Sequence, residues 1–141
     1  LTKDEHRKLI KWARKCSEHV IPLLGNNIDN RLIAALEIAQ EWKENKASVG
    51  DARKASVAAH SFARQSSDPV VRAIARSIGH AVATAHMADH SAGAALYAQK
   101  AVFYSGKPVE AERQWQIEQL STEIREITLI LLEEKEKHFK I

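Results

Sequence analysis

Residues 68–104 read DPVVRAIARSIGHAVATAHMADHSAGAALYAQKAVFY, and this stretch decides the fold. Asp68 is a strong helix cap and Pro69 suits the first helical turn. Val71, Ile74, Ile78, Val82 and Ala85 then recur at helical spacing on one line. Asp89 lands on that same line, where a carboxylate buried without a partner is costly. The cheaper arrangement is a bend, with Asp89 capping a further helix from His90 to about Tyr104. Ser105-Gly106-Lys107-Pro108 breaks that helix.

The same grammar extends outward. Upstream, Leu9, Trp12, Ala13, Cys16, Val20 and Leu23 form a stripe on a helix over residues 4–20, ended by Pro22 and Gly25. Asp29 opens a second helix with Leu32, Ala35, Leu36, Ala39 and Trp42 on its inner face. Trp12 and Trp42 are expected to pack where these two helices meet. Ser48, with Asp51 in the first turn, opens a third helix. Its face of Ala52, Ala55, Ala58, Ala59, Phe62 and Ala63 allows close approach of another helix axis. Downstream, a helix from Pro108 to about Leu120 precedes one capped by Ser121, with Ile124, Ile127, Thr128 and Leu131 inward. No stretch alternates as a half-buried strand would. The expected fold is all-α, a compact bundle of six to seven helices joined as antiparallel hairpins, with residues 1–141 as a single helical domain.

Composition narrows the function. At 45% hydrophobic and 28% charged residues the chain is ordinary for a globular protein. A net charge of +3 is too mild for a dedicated nucleic-acid binder, which concentrates positive charge on one face. The lone cysteine, Cys16, excludes an internal disulfide and fits a reducing compartment. Leu1 to Lys8 is mostly charged, unlike a secretory signal. The longest apolar run, Ile127 to Leu132, is too short to span a membrane. These features lead us to expect a cytoplasmic location and no membrane association.

Catalytic signals are sparse. His86 and His90 are four apart, and with Asp89 between them they form the one candidate metal cluster. The zincin pattern needs a glutamate after the first histidine, and Met87 stands there. Capping and interior hydrogen bonding account for these residues more simply, so no metal or other cofactor is expected. Cys16 lies on an apolar stripe and reads as inert packing. Glu110/Glu112 and Glu133/Glu134 read as solvated surface. There is no Gly-rich phosphate loop and no G-x-S-x-G elbow. The run Ile127 to Leu132 is apolar nearly all round; after its inner stripe is filled, Leu129 and Leu132 remain for a homodimer or partner contact.

Positive charge gives the better lead. Arg53, His60 and Arg64 lie opposite the alanine face of the third helix. Arg72, Arg76, His80 and Thr84 lie opposite the isoleucine face of the fourth. Adjacent stripes of this kind would form a positive groove suited to carboxylates or phosphates. Used on nucleic acid, Arg53, Arg64, Arg72 and Arg76 would be the contact set; used as an enzyme, the chain would depend on His86, Asp89 and His90.

The segment Gly79 to Ala101, above all Thr84-Ala-His-Met-Ala-Asp-His90, resembles a small bacterial family of putative immunity proteins, the immunity-five-like group tied to polymorphic toxin systems. Asp29-Asn-Arg31, Ala35-Leu-Glu37, Trp42, Val49-Gly-Asp-Ala-Arg53, Ala58-Ala-His60, Trp115 and Glu123-Ile-Arg125 are also similar, so the resemblance spans about His6 to Ile130. It implies an all-helical cytoplasmic protein that neutralises a cognate toxin by binding it. The expected function is therefore non-catalytic binding of a protein partner through Arg53, His60, Arg64, Arg72, Arg76 and His80.

Overall fold

The computed structural model describes residues 1–139. They form seven α-helices and no strand: α1 (Lys3–Val20), α2 (Asn30–Lys43), α3 (Val49–Gln65), α4 (Pro69–Ala83), α5 (His90–Tyr104), α6 (Val109–Glu118) and α7 (Thr122–Glu136). A 3₁₀ turn at Ile21–Leu24, with Pro22 inside it, follows α1. The all-α bundle expected from the spacing of apolar residues is the one observed.

Helix starts follow the capping chemistry closely. Thr2 and Ser48 each close a reciprocal capping box, with Glu5 and Asp51 respectively. The Asp29 carboxylate accepts from the Arg31 amide, and Asp68 accepts from those of Val70 and Val71. Two expected caps differ. The chain does bend between α4 and α5, and Asp89 stands just before His90, but its carboxylate makes no cap bond because its own backbone is already helical. The turn is closed by main-chain bonds instead, among them His86 N–H to Ala83 O and His90 N–H to Met87 O. Ser121 likewise precedes α7 without capping it, and its buried hydroxyl has no partner.

The α4–α5 pair is the centre of the molecule. These two helices share the most extensive contact, followed by α3 with α4, and α1 crosses both. The pairing is antiparallel in both cases: His80 meets Gly93 while Arg72 meets Lys100 across α4–α5, and Ser56 meets Gly79 while His60 meets Arg76 across α3–α4. Nine residues of α4 and ten of α5 are buried, and nine of these nineteen are alanine. Small side chains let the axes approach closely and gain dispersion contact along their whole length. The residues opposite the isoleucines differ in exposure: Thr84 is fully buried, Arg76 and His80 are half-buried, and Arg72 is exposed.

Polar groups trapped among the central helices are satisfied across the seams. Ser77 Oγ–H donates to Ala94 O at 2.7 Å, so Ser17 Oγ–H is left to donate to Ser77 at 2.8 Å, which ties α1, α4 and α5 together. Gln99 donates to Gln116 Oε1 at 2.9 Å, and Gln116 Nε2–H to Ala95 O at 2.9 Å. The Trp12 indole N–H donates to Gln116 O at 2.8 Å. Trp12 therefore packs toward α5, α6 and α7, while Trp42 packs with His6 at a ring-centroid distance of 4.8 Å. The two tryptophans belong to different parts of the core, contrary to the reading that joined them. In α7 the inward residues are Ile124, Thr128 and Leu132; Leu132 is 1% exposed, and Ile130, at 59%, is the apolar residue left outside.

Two glycines set how closely the central helices approach. A Cβ on Gly79 would lie 2.7 Å from His60 Nε2, and one on Gly93 would lie 2.9 Å from His80 Nδ1. The His80 ring has little room to retreat, being stacked on Tyr97 and flanked by His60 and His90. Gly93→Ala is expected to destabilise the fold by about 1–3 kcal/mol through overpacking, even though alanine is the better helix former. In urea unfolding, adding His80→Ala should recover much of that loss; a simple sum of the two single effects would count against the contact.

Candidate functional site

Three imidazoles line the α3–α4–α5 seams. His60 on α3 and His80 on α4 meet edge to face with centroids 5.0 Å apart. His80 Nδ1 lies 3.1 Å from Nδ1 of His90, the first residue of α5, so one of the two rings donates to the other. Tyr97, two turns further along α5, stacks on His80 at 5.2 Å and 13°. A guanidinium can only donate, so Arg76 gives its N–H to His60 Nδ1, at 3.4 Å.

Burial governs how these rings titrate. It is the main cause pushing His60 down to about 4, helped by the charges of Arg76 and Arg64. Burial also pushes His80 down to about 3, with His60, His90, Lys135 and Arg76 adding to it. His90 is lowered too, by burial against the opposing pull of Asp89. At neutral pH the cluster is therefore uncharged, and the positive charge nearby belongs to arginine and lysine.

That charge borders a groove of about 240 Å³ between the start of α4 and the end of α5. Pro69, Arg72 and Arg76 form one wall; Tyr97, Lys100 and Tyr104 form the other. The Lys100 ammonium lies 5.8 Å from the Tyr97 ring centre, 5.9 Å from that of Tyr104 and 5.2 Å from that of Phe139. Among the described residues none of Arg72, Arg76 and Lys100 forms an ion pair with a carboxylate.

The residues singled out from the sequence thus separate into three groups. Arg72 and Arg76 stand in the groove, and His60 backs it by holding Arg76. His80 lies behind, half-buried in the seam rather than on a solvated face. Arg53 and Arg64 are exposed on α3, and Arg64 is near enough to act on His60. Lys100, Tyr97 and Tyr104 were missed, because their place opposite Arg72 depends on how α5 packs on α4. His86 is exposed in the turn after α4 while His90 is turned to His80, so the bend separates the pair. Among the described residues no group of three or more His, Cys, Asp or Glu side chains is arranged to hold a metal ion.

A second constellation lies at the end of α1. Glu112 is only 7% exposed, not the solvated carboxylate its neighbours suggested. Both its oxygens face His19 Nδ1, at 2.8 and 3.0 Å, and the His19 ring stacks on Trp115 at 3.5 Å and 7°. Cys16 stands one turn before His19, giving the residue types of a thiol–imidazole–carboxylate triad. Cys16 is fully buried, and burial followed by the Glu112 charge pushes its thiol well above the usual range. A nucleophilic cysteine needs the opposite environment.

Comparison with protein families matches residues 1–123 to the Imm-5 like putative immunity protein family. The chain belongs to this family. The match covers α1 to α6 and the start of α7, and so contains the histidine seam, the groove and the Glu112 pair. Comparisons with curated proteins and with solved structures each return no match. No helix of the described residues is long and apolar enough to cross a membrane.

Two outcomes are expected of this immunity-family protein. The seam histidines bind protons less readily folded than unfolded. Their contribution is complete above the ordinary imidazole value of about 6.5 and is lost as pH falls toward about 4 and then about 3. Urea unfolding across that window should show stability dropping by at most about 1.4 kcal/mol per pH unit for each ring. In a His60→Gln/His80→Gln variant that acid dependence should flatten. The second outcome concerns Cys16, which should resist a bulky thiol reagent in the native protein and react at once in denaturant.

Proposed function

We propose that the protein is a non-catalytic immunity protein, acting in the cytoplasm, which binds a cognate toxin and neutralises it. The contact surface is the α4–α5 groove with Arg72, Arg76, Lys100, Tyr97 and Tyr104, flanked by Arg53 and Arg64 on α3 and backed by His60 and His80. The observation that carries this reading is the set of three groove cations that have no carboxylate partner among the described residues. They stand beside two tyrosines, and Tyr104 with its neighbour Phe103 is exposed. Arginine and tyrosine are the side chains that dominate binding energy at protein interfaces. The groove is smaller than a typical small-molecule pocket, which fits recognition of a protruding protein segment better than enclosure of a metabolite. The partner's complementary surface is acidic.

The experiment uses toxin candidates from the flanking reading frames, each co-expressed with the tagged chain. The wild-type protein is expected to co-purify with one of them and to restore growth of cells producing it. Arg72→Glu/Arg76→Glu should stay folded and melt within about 3 °C of wild type: Arg72 is exposed, Arg76 gives up one hydrogen bond to His60, and carboxylates in the first half of α4 favour the helix. Its association should be at least about tenfold slower at low salt, with the difference shrinking as salt is added. Equal association rates at every salt concentration would remove the groove from the interface.

A further inference from the structure

Arg72 and Arg76 are one turn apart on α4, so both side chains leave the helix on the same face. Lys100 comes from α5, and the antiparallel pairing of the two helices sets it on the opposite wall. None of the residues lining the groove is acidic. The carboxylate nearest to Arg72 in the sequence, Asp68, accepts from the amides of Val70 and Val71. Three cations therefore converge on about 240 Å³ of groove, and among the described residues no carboxylate pairs with any of them.

Two of these cations are held by neutral groups. His60 accepts from Arg76 at 3.4 Å. The Lys100 ammonium rests among the rings of Tyr97, Tyr104 and Phe139, 5.8, 5.9 and 5.2 Å from their centres. Aromatic faces attract an ammonium without cancelling its charge. The positive charge of the groove also depends on no imidazole. Burial keeps His60 and His80 neutral at neutral pH, whereas arginine and lysine are charged there.

The number and placing of the cations select the anion. A carboxylate has two oxygens in one plane and suits a single guanidinium fork. A terminal phosphate has three outer oxygens that point in different directions. It can therefore meet both arginines of one wall and the lysine of the other at once. We propose that the α4–α5 groove is a phosphate site, in which the terminal phosphate of a small phosphorylated molecule lies between Arg72, Arg76 and Lys100. The groove is too small to enclose a metabolite, but a phosphate needs convergent donors more than enclosure, and the rest of the molecule lies in solvent. This site stands on the groove's own geometry and does not require toxin binding. Where the same cations also meet an acidic toxin, phosphorylated metabolites compete with it.

Pyrophosphate is the probe, titrated into the whole chain by calorimetry at neutral pH, with citrate as a carboxylate counterpart of similar charge. Pyrophosphate should bind saturably, one per chain, and at least about tenfold more tightly than citrate. Lys100→Gln should weaken pyrophosphate about tenfold, and Arg72→Ala/Arg76→Ala should abolish its binding. Lys11→Ala/Lys15→Ala removes as many exposed cations from α1 and should leave the affinity within about twofold of wild type. Absence of saturation, equal binding of pyrophosphate and citrate, or equal losses in the α1 and α4 variants would each overturn the assignment. If Arg72→Ala/Arg76→Ala does not fold, Lys100→Gln and the citrate comparison decide it. A toxin that still associates through the groove when pyrophosphate does not bind would remove the phosphate site and leave the protein interface standing.

Discussion

The close approach of α4 to α5, and of α3 to α4, is the constraint on which the rest depends. Alanine lines both seams, and at Gly79 and Gly93 even a methyl group would collide with an imidazole. Helices this close admit no water, so each polar group in the seam must find a partner on the neighbouring helix. Ser17, Ser56, Ser77, Gln99 and Gln116 all do so. The histidines are held by the same logic. His60 and His80 sit over glycines because a larger residue there would push the axes apart. Burial then keeps them neutral. Packing thus determines the charge state of the site, and the site's electrostatics follow from helix spacing.

Much of this was legible in the sequence because it is local. Asp29, Ser48 and Asp68 cap the helices they were expected to cap, since each cap bond reaches an amide only two or three residues on. The bend near Asp89 was legible from one carboxylate out of place on an apolar line. Its cap bond was not, because a backbone already helical at Asp89 turns the side chain away from the amides. Glu112 shows the limit more clearly. In its own segment it looks like any solvated glutamate, and its partner lies 93 residues earlier. No periodicity encodes that pairing. Leu132, read as left over for a partner, is inward and Ile130 is the exposed one for a related reason: in a nearly all-apolar helix the pattern has no polar face to orient it. Likewise, the arginine stripe of α4 was visible, while the tyrosines and lysine that complete its groove come from α5.

Stability alone does not explain why Arg72 and Arg76 stand where they do. They occupy the first half of α4, whose amino-terminal end carries partial positive charge, so carboxylates there would stabilise the helix and cations do not. Lys100, near the carboxyl-terminal end of α5, is favourably placed by the same rule. The antiparallel pairing brings the two ends together, and a carboxylate on either helix could have neutralised the arginines within the fold. Instead the neighbour of Arg76 is His60, a neutral acceptor. A neutral acceptor orients a guanidinium while leaving its charge in place, whereas a carboxylate would both orient and cancel it. The seam that enforces neutrality on His60 therefore also preserves the positive field of the groove. An anionic partner would meet Arg76 already held in position, with less side-chain entropy to lose on binding than a free surface residue would have. Of the two constellations, this one directs charge outward, and the Glu112–His19 pair turns its charge inward.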